Sequence, residues 1–80
     1  MKFNHIESAK ILNELGFRAV SPNAKHSMFI NDKYNIVAYY VAGYVTPMKK
    51  NGYLFIRNNA RIYAYSNDEI NCTVNNIINE

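Results

Sequence analysis

The amino-acid sequence predicts a small single α+β domain, in which one helix precedes and another follows a sheet of three or four antiparallel strands. Apolar residues recur at helical spacing near both ends of the chain, and they alternate with a period of two between those ends. Asn-containing turns divide the alternating region into two hairpins. Each amphipathic helix must cover an apolar surface, so we expect both helices to pack on one face of the sheet.

The first predicted helix spans residues 5–15. Asn4 can cap its free amide groups, and Glu7 stands three residues later, where a capping box places a Glu or Gln. The apolar residues of the segment SAKILNEL fall on one side of this helix. Gly16 then occupies the position at which a left-handed C-cap usually ends a helix.

The middle of the chain predicts two β-hairpins. The pair Asn31-Asp32 should form the turn of the first hairpin, and Asn58-Asn59 the turn of the second, because these residue types tolerate positive φ. Gly43, Pro47 and the run MKKNG separate the two hairpins. The predicted strands lie at about 26–30, 34–45, 53–57 and 60–65.

A two-residue turn at 58–59 also predicts the register of the second hairpin, since it pairs Phe55 with Ile62. The residues expected in the core are then Tyr53, Phe55, Ile62 and Ala64. Those expected on the opposite face are Leu54, Ile56, Arg61, Tyr63 and Tyr65. The long strand divides into two sets, 36, 38, 40 and 37, 39, 41, and the pattern leaves open which set faces the helices.

The last predicted helix spans residues 67–78. The segment from Ser66 to Glu69 has the spacing of a capping box, and Asp68 adds a second acidic residue to the first turn. The apolar residues that follow form one stripe along the helix: Ile70, Val74, Ile77 and Ile78. This stripe should pack against the sheet.

Composition places the chain of 80 residues, 49% hydrophobic and 19% charged, among globular proteins with one domain, covering residues 1–80. One cysteine, Cys72, cannot form an intrachain disulfide, whereas small secreted domains usually contain several. The segment MKFNHIESAK lacks the apolar part of a signal peptide, and no apolar run is long enough for a membrane span. We therefore expect a cytoplasmic protein without a membrane partner.

Charge is distributed unevenly along the sequence. Residues 16–65 contain seven basic residues and one acidic residue, a net charge of +6, while the whole chain has +3, so the remaining residues carry −3. The sheet should therefore be basic and the helices acidic. Tyrosine provides rigid, amphipathic contact area and is enriched at protein interfaces. The residues expected to bind a partner are Tyr39, Tyr44, Lys49, Lys50, Arg57, Arg61, Tyr63 and Tyr65.

These patterns favour a small non-enzymatic binding or inhibitor protein that docks a host protein, or a complex that handles nucleic acid, through a basic, Tyr-rich face of the sheet. The abundance of Asn, Ile and Tyr is typical of phages and mobile elements, which suggests an anti-defence inhibitor, such as an anti-CRISPR protein. Direct binding of nucleic acid by the same tyrosines and basic residues is the alternative. Pairing of an edge strand with a second copy, giving a homodimer, is a further option.

The histidines and Cys72 do not predict a metal site, because His5 and His26 are 21 residues apart, Cys72 is remote and no carboxylate pair brackets them. The sequence motifs predict neither a cofactor nor catalytic residues. One resemblance gives a catalytic alternative: LNELGF followed by AKHSMFI resembles the HicA-type toxins, which are small ribonucleases, and VTPMKKNG is similar to a later loop of that family. The resemblance implies RNA cleavage with His26 as general acid or base.

Overall fold

The protein is described here by a computed structural model that covers residues 4–20 and 28–79. Within these residues, helix α1 (His5–Glu14) precedes a five-stranded antiparallel sheet and helix α2 (Asn67–Ile78) follows it. The strands follow one another in the sheet in chain order: β1 (Arg18–Ala19), β2 (Met28–Asn31), β3 (Ile36–Val41), β4 (Gly52–Arg57) and β5 (Ala60–Ala64). The predicted α+β class and helix–sheet–helix order are confirmed.

The sheet has one strand more than predicted among the described residues. Strand β1 contains two residues, Arg18 and Ala19, which pair with Ile30 and Phe29 of β2. A segment of two residues is too short to show an alternating pattern, so the sequence could not distinguish it from a loop. Strand β1 starts two residues after Gly16, whose φ of 94° turns the chain out of α1.

The first hairpin turn differs from the prediction. The turn covers residues 32–35 rather than Asn31-Asp32, and Asn31 pairs with Ile36 inside the hairpin. The buried Asn31 side chain donates a hydrogen bond from Nδ2 to the Leu15 carbonyl (3.0 Å) and accepts one at Oδ1 from the Tyr34 amide (3.1 Å). Asn35, at φ 57°, supplies the left-handed residue that the turn requires.

The second hairpin has the predicted register. Phe55 pairs with Ile62 and Leu54 with Tyr63, on either side of a two-residue turn in which Asn58 has φ 53°. Pairing of β4 with β3 then resolves the face that the sequence left open. Ala38 lies opposite Phe55, so the set 36, 38, 40 faces the helices and the set 37, 39, 41 faces away from them.

The core lies between the sheet and the two helices, which pack on one face as predicted. Leu12 of α1 and three residues of the α2 stripe, Ile70, Val74 and Ile77, are fully buried there. Most aromatic rings of this core come from the strands. Phe17, which precedes β1, packs edge to face against Phe55 of β4, with 5.9 Å between ring centroids. Buried residues of the strands are Phe29, Ile36, Ala38, Tyr53, Phe55 and Ala64.

The helix N-termini lie side by side and share hydrogen bonds. Asn4 caps α1 by accepting from the Glu7 amide at 3.1 Å, as predicted. Asn67, the first residue of α2, donates from Nδ2 to the Ser8 hydroxyl at 2.6 Å and accepts at Oδ1 from the Asn4 amide at 3.2 Å. These bonds join the first turns of the two helices across 63 residues of sequence.

The predicted capping box of α2 does not form, since neither of its two hydrogen bonds is present between Ser66 and Glu69. Ser66 is the N-cap residue, but its side chain makes no capping hydrogen bond. The Glu69 carboxylate instead accepts from the Tyr65 amide at 2.9 Å.

Among the described residues, no helix has both the length and the apolar character needed to cross a bilayer.

Candidate binding surface

The face of the sheet turned away from the helices carries a continuous set of apolar and aromatic side chains. Because side chains alternate along a strand, every second residue of β2 to β5 points to this face. We call it the open face and define it by ten residues: Met28, Ile30, Val37, Tyr39, Val41, Leu54, Ile56, Arg61, Tyr63 and Tyr65.

The register places these side chains in rows that cross the strands. One row consists of Met28, Tyr39, Leu54 and Tyr63. A second row consists of Ile30, Val37, Ile56 and Arg61. Most of these side chains are half-buried, while Tyr39 is 37% exposed. The rows therefore form a broad apolar surface rather than scattered apolar residues.

Tyr63 and Tyr65 stack on each other, with ring centroids 5.7 Å apart and planes 10° from parallel. Tyr65 also lies against Gly52 of β4, since a Cβ atom at Gly52 would stand 3.2 Å from the Tyr65 ring and 2.7 Å from the Ala64 carbonyl oxygen. Gly52 thus allows the ring to lie close to the backbone. This contact holds the tyrosine pair in a defined position on the open face.

The open face is less basic than the sequence predicts. Arg18 lies opposite Ile30 at the sheet edge, but its Nε atom is 2.9 Å from Oδ2 of Asp32. The hydrogen bond from Arg18 lowers the pKa of the Asp32 carboxyl, and the same bond raises the pKa of Arg18. Arg61 is therefore the basic residue of the open face whose charge is available to a partner.

Arg57 lies on the helix-covered side of the sheet, although it belongs to the residues expected to bind a partner. Its Nη1 atom donates to the Ile78 carbonyl at 2.9 Å, and its Nε atom donates to the Tyr34 carbonyl at 2.9 Å. The guanidinium thus satisfies carbonyl groups at the end of α2, where a positive charge also interacts favourably with the helix dipole. In this position Arg57 has a structural role.

A loop with several internal hydrogen bonds joins β3 to β4 at the end of the sheet where Val41 pairs with Gly52. We call residues 42–51 the Thr46 loop, because the buried Thr46 side chain, 1% exposed, bonds to the backbone of Lys50 within the same loop. Oγ1 donates to the Lys50 carbonyl at 2.7 Å and accepts from the Lys50 amide at 3.0 Å. The Gly43 amide donates a further hydrogen bond to Oδ1 of Asn51 at 2.7 Å.

The Thr46 loop exposes three apolar or aromatic side chains together with two basic ones. Tyr44 is 81% exposed, and Val45 and Met48 are each 58% exposed. Lys49 and Lys50 are also exposed, and Lys49 has φ 57°. Sequence reasoning identified Tyr44 and the lysines but missed Val45 and Met48. The available signal was their position on either side of Thr46-Pro47, in a segment that breaks the strand pattern.

The expected binding residues therefore separate into three places. Four of them share the open face: Tyr39, Arg61, Tyr63 and Tyr65. Three lie on the Thr46 loop: Tyr44, Lys49 and Lys50. Arg57 lies on the helix side. His26, the candidate catalytic residue of the ribonuclease alternative, lies outside the described residues, so that alternative stays a prediction.

The side chains that commonly bind metal ions are scattered over the described parts of the chain. Across residues 4–20 and 28–79, no three His, Cys, Asp or Glu residues lie close enough together to hold a metal ion. Cys72 is exposed on α2, where the Asn76 amide lies 3.8 Å from its sulfur. No protein-family model matches the chain, and comparison with curated proteins and with solved structures finds no match.

Proposed function

We propose that this protein is a non-enzymatic binding protein that docks a partner protein on the open face. The observation that carries the proposal is the asymmetry of the sheet. Its covered face packs against α1 and α2, while its open face carries nine apolar or aromatic side chains and a single arginine. Burial of apolar surface is the main favourable term in protein association.

The size of the open face fits a docking surface. Neighbouring strands lie about 4.8 Å apart and each residue advances ~3.3 Å, so the four strands β2 to β5, with central strands of six residues, present roughly 400 Å² in projection. An apolar patch of this size is often functional when it occurs on a monomer. Tyrosines at its centre and edge supply contact area with few rotatable bonds.

Charge favours a protein partner over a nucleic acid. Binding to DNA or RNA depends on several basic groups that neutralise phosphates. Arg61 is the one basic residue of the open face; at its edge Arg18 is paired with Asp32, and Arg57 is used at the end of α2. Lys49 and Lys50 lie beyond the face, on the Thr46 loop. An apolar, tyrosine-rich surface with so few available charges suits a protein interface.

A protein of this kind acts by occupying a surface of its partner, and we propose that it is an inhibitor. The composition supports this role, since thirteen Asn, nine Ile and seven Tyr in 80 residues are typical of proteins from phages and mobile elements. Its partner would then be a host protein, such as a component of an anti-phage defence.

The test is capture from host-cell lysate with the tagged full chain, before and after nuclease treatment. We expect a protein that is retained after nuclease treatment and lost with Leu54→Glu, because the substitution places a charge at the centre of the open face. Asn71→Glu is the matched control, since it adds the same charge at an exposed position on α2. Circular dichroism checks that both variants are folded.

Two results would contradict the proposal. One is recovery of nucleic acid alone, in amounts that fall steeply as salt rises, which is the behaviour of phosphate binding. The other is a captured protein that Leu54→Glu retains as well as the unchanged chain does.

A further inference from the structure

The Thr46 loop combines an ordered backbone with exposed apolar side chains. Tyr44, Val45 and Met48 lie within five consecutive residues and are each more than half exposed. Single exposed apolar residues are common on protein surfaces, and Ile6 on α1 is one example. Three together on one loop are different, because they form a local apolar projection.

The backbone of this loop is organised before any partner arrives. The Thr46 hydroxyl lies within donating distance of the Lys50 carbonyl (2.7 Å) and the Gly43 carbonyl (3.2 Å), and the same oxygen accepts the Lys50 amide at 3.0 Å. The Lys49 amide bonds to the Thr46 carbonyl at 3.1 Å, which closes a turn with Pro47 at its second position. A preorganised loop loses little conformational freedom when it binds.

The loop is basic, and the described carboxylates lie elsewhere. Lys49 and Lys50 are exposed next to Met48, and Arg61 is exposed on the open face. The described acidic residues on the helices are Glu7, Glu14, Asp68 and Glu69. The remaining one, Asp32, is paired with Arg18. Loop and open face together therefore present positive charge around apolar side chains.

We propose that the Thr46 loop is the anchor for an acidic protein partner. Tyr44, Val45 and Met48 enter an apolar pocket of the partner, and Lys49 and Lys50 pair with carboxylates at the rim of that pocket. The inference rests on the proposed function, because it takes the occupant of the open face to be a protein. A two-fold face-to-face pairing with a second copy is disfavoured, since it would bring the same basic residues together.

The size of a stable interface supports a role for the loop in addition to the sheet. A specific protein interface buries about 800 Å² of accessible surface and involves roughly 20–30 residues on each partner. The open face comprises ten residues. The loop begins one residue after Val41 and ends one residue before Gly52, so it extends the surface at that end of the sheet. Anchors of interfaces are typically aromatic side chains that fill a pocket and are surrounded by polar groups.

Photo-crosslinking locates the anchor. The full chain carries a photoreactive phenylalanine analogue at position 44 or, as a matched control with the same 81% exposure, at position 6 on α1. We expect crosslinks from position 44 to a segment of the partner that contains Asp or Glu next to apolar residues. Crosslinks from position 6 alone, or to a segment without acidic residues, would overturn the proposal.

The contribution of the apolar and the basic side chains of the Thr46 loop is measured as the affinity of loop variants for the protein captured from lysate. We expect Tyr44→Ala to weaken binding at least about tenfold, and Ile6→Ala to leave it unchanged. The double variant Lys49→Glu and Lys50→Glu should weaken binding by a similar factor at low salt and less at high salt, whereas Lys10→Glu on α1 should have no effect.

Variants of Thr46 separate loop order from direct contact. Thr46→Val removes the hydroxyl while keeping the side-chain shape, so we expect weaker binding with an intact fold, and Thr46→Ser should restore binding. If Leu54→Glu abolishes binding while Tyr44→Ala and the lysine variant do not weaken it, the anchor is overturned and the proposed function stands. If none of these variants changes binding, or if nothing is captured, both are overturned.

Discussion

Four asparagine side chains form hydrogen bonds that connect separate parts of the fold or cap a helix. Asn4 caps α1, Asn31 ties the first hairpin to the end of α1, Asn51 binds the Gly43 amide, and Asn67 joins the two helices. Asparagine suits these positions because its amide can donate and accept within one short side chain. The abundance of this residue, read from the sequence as a compositional bias, thus has a structural explanation at four sites.

Arg57 is the residue whose role changes most between sequence and structure. It links three segments, because it bonds from β4 to the Tyr34 carbonyl in the first turn and to the Ile77 and Ile78 carbonyls at the end of α2. Alternation with Tyr53 and Phe55 places Arg57 on the core side of β4, but it does not show which groups a charged side chain binds there. Its partners became visible only once α2 was placed.

Replacement of Arg57 by methionine tests this role. We expect Arg57→Met to lower the free energy of unfolding by about 2 kcal/mol, because hydrogen bonds to a charged group are lost and carbonyl groups at the end of α2 are left unpaired. Arg61→Met, at an exposed position, should change it by less than about 0.5 kcal/mol. Urea unfolding of both variants is the measurement, and equal losses would contradict the assigned role.

At the scale of elements, the two helices begin in different ways despite similar sequence signals. The Asn4 side chain accepts the Glu7 amide, while the Ser66 side chain makes no capping bond and Glu69 accepts the Tyr65 amide. Both N-caps satisfy the residue preference, so sequence alone predicts equal capping. The first turn of α2 is held instead by Asn67, which bonds to Asn4 and Ser8 of the first turn of α1.

A matched pair of substitutions checks this difference. We expect Asn4→Ala to cost about 1 kcal/mol of stability, as is usual when an N-cap side chain is lost. Ser66→Ala should cost less than about 0.5 kcal/mol, because the hydroxyl that it removes makes no capping bond. Thermal unfolding measured by circular dichroism compares the two, and a larger loss for Ser66→Ala would contradict the account.

At the scale of the whole molecule, one core supports both helices and the sheet. Tyr53 lies at its centre, is fully buried, and meets the rings of Tyr40, Phe29 and Phe55 with centroids 5.3 to 6.4 Å apart. Burial raises the pKa of Tyr53 to about 12, an increase reduced by a hydrogen bond with Ser8. Ionisation of this hydroxyl is therefore coupled to unfolding of the molecule.

The pKa of Tyr53 predicts how stability depends on alkaline pH. Because the folded pKa is raised above the ordinary value of 10.0, the contribution is fully present below pH 10 and is lost as pH rises towards about 12. The loss should approach roughly 2–3 kcal/mol, given about 1.4 kcal/mol for each pKa unit. Urea unfolding at a series of pH values between 9 and 12 measures it.

Tyr53→Phe provides the control for this measurement, since it keeps the ring and removes the ionisable hydroxyl. The variant should show a shallower fall in stability between pH 10 and pH 12 than the unchanged chain. All other residues are the same in the two proteins, so the difference between the two curves isolates Tyr53. Identical curves would show that Tyr53 does not ionise with a raised pKa.

The parts that sequence predicted well are those governed by neighbours along the chain. Helical spacing located α2 at 67–78 and placed α1 within one residue of its end, and the pair Asn58-Asn59 predicted the register of β4 and β5. The turn at 32–35 was missed because Asn31 points into the core, where its side chain binds the end of α1. That contact is not visible in local sequence.

By itself the sequence determined the α+β class, both helices and the second hairpin. Its assignment of tyrosines and basic residues to a binding surface stays a prediction. The tertiary structure decided which set of β3 residues faces the helices, the position of Arg57 at the end of α2 and the exposure of Val45 and Met48 on the Thr46 loop. Alternation along a strand defines two faces but does not say which one is covered. That choice depends on the packing of helices that are distant in sequence, so it appears only when the chain has folded.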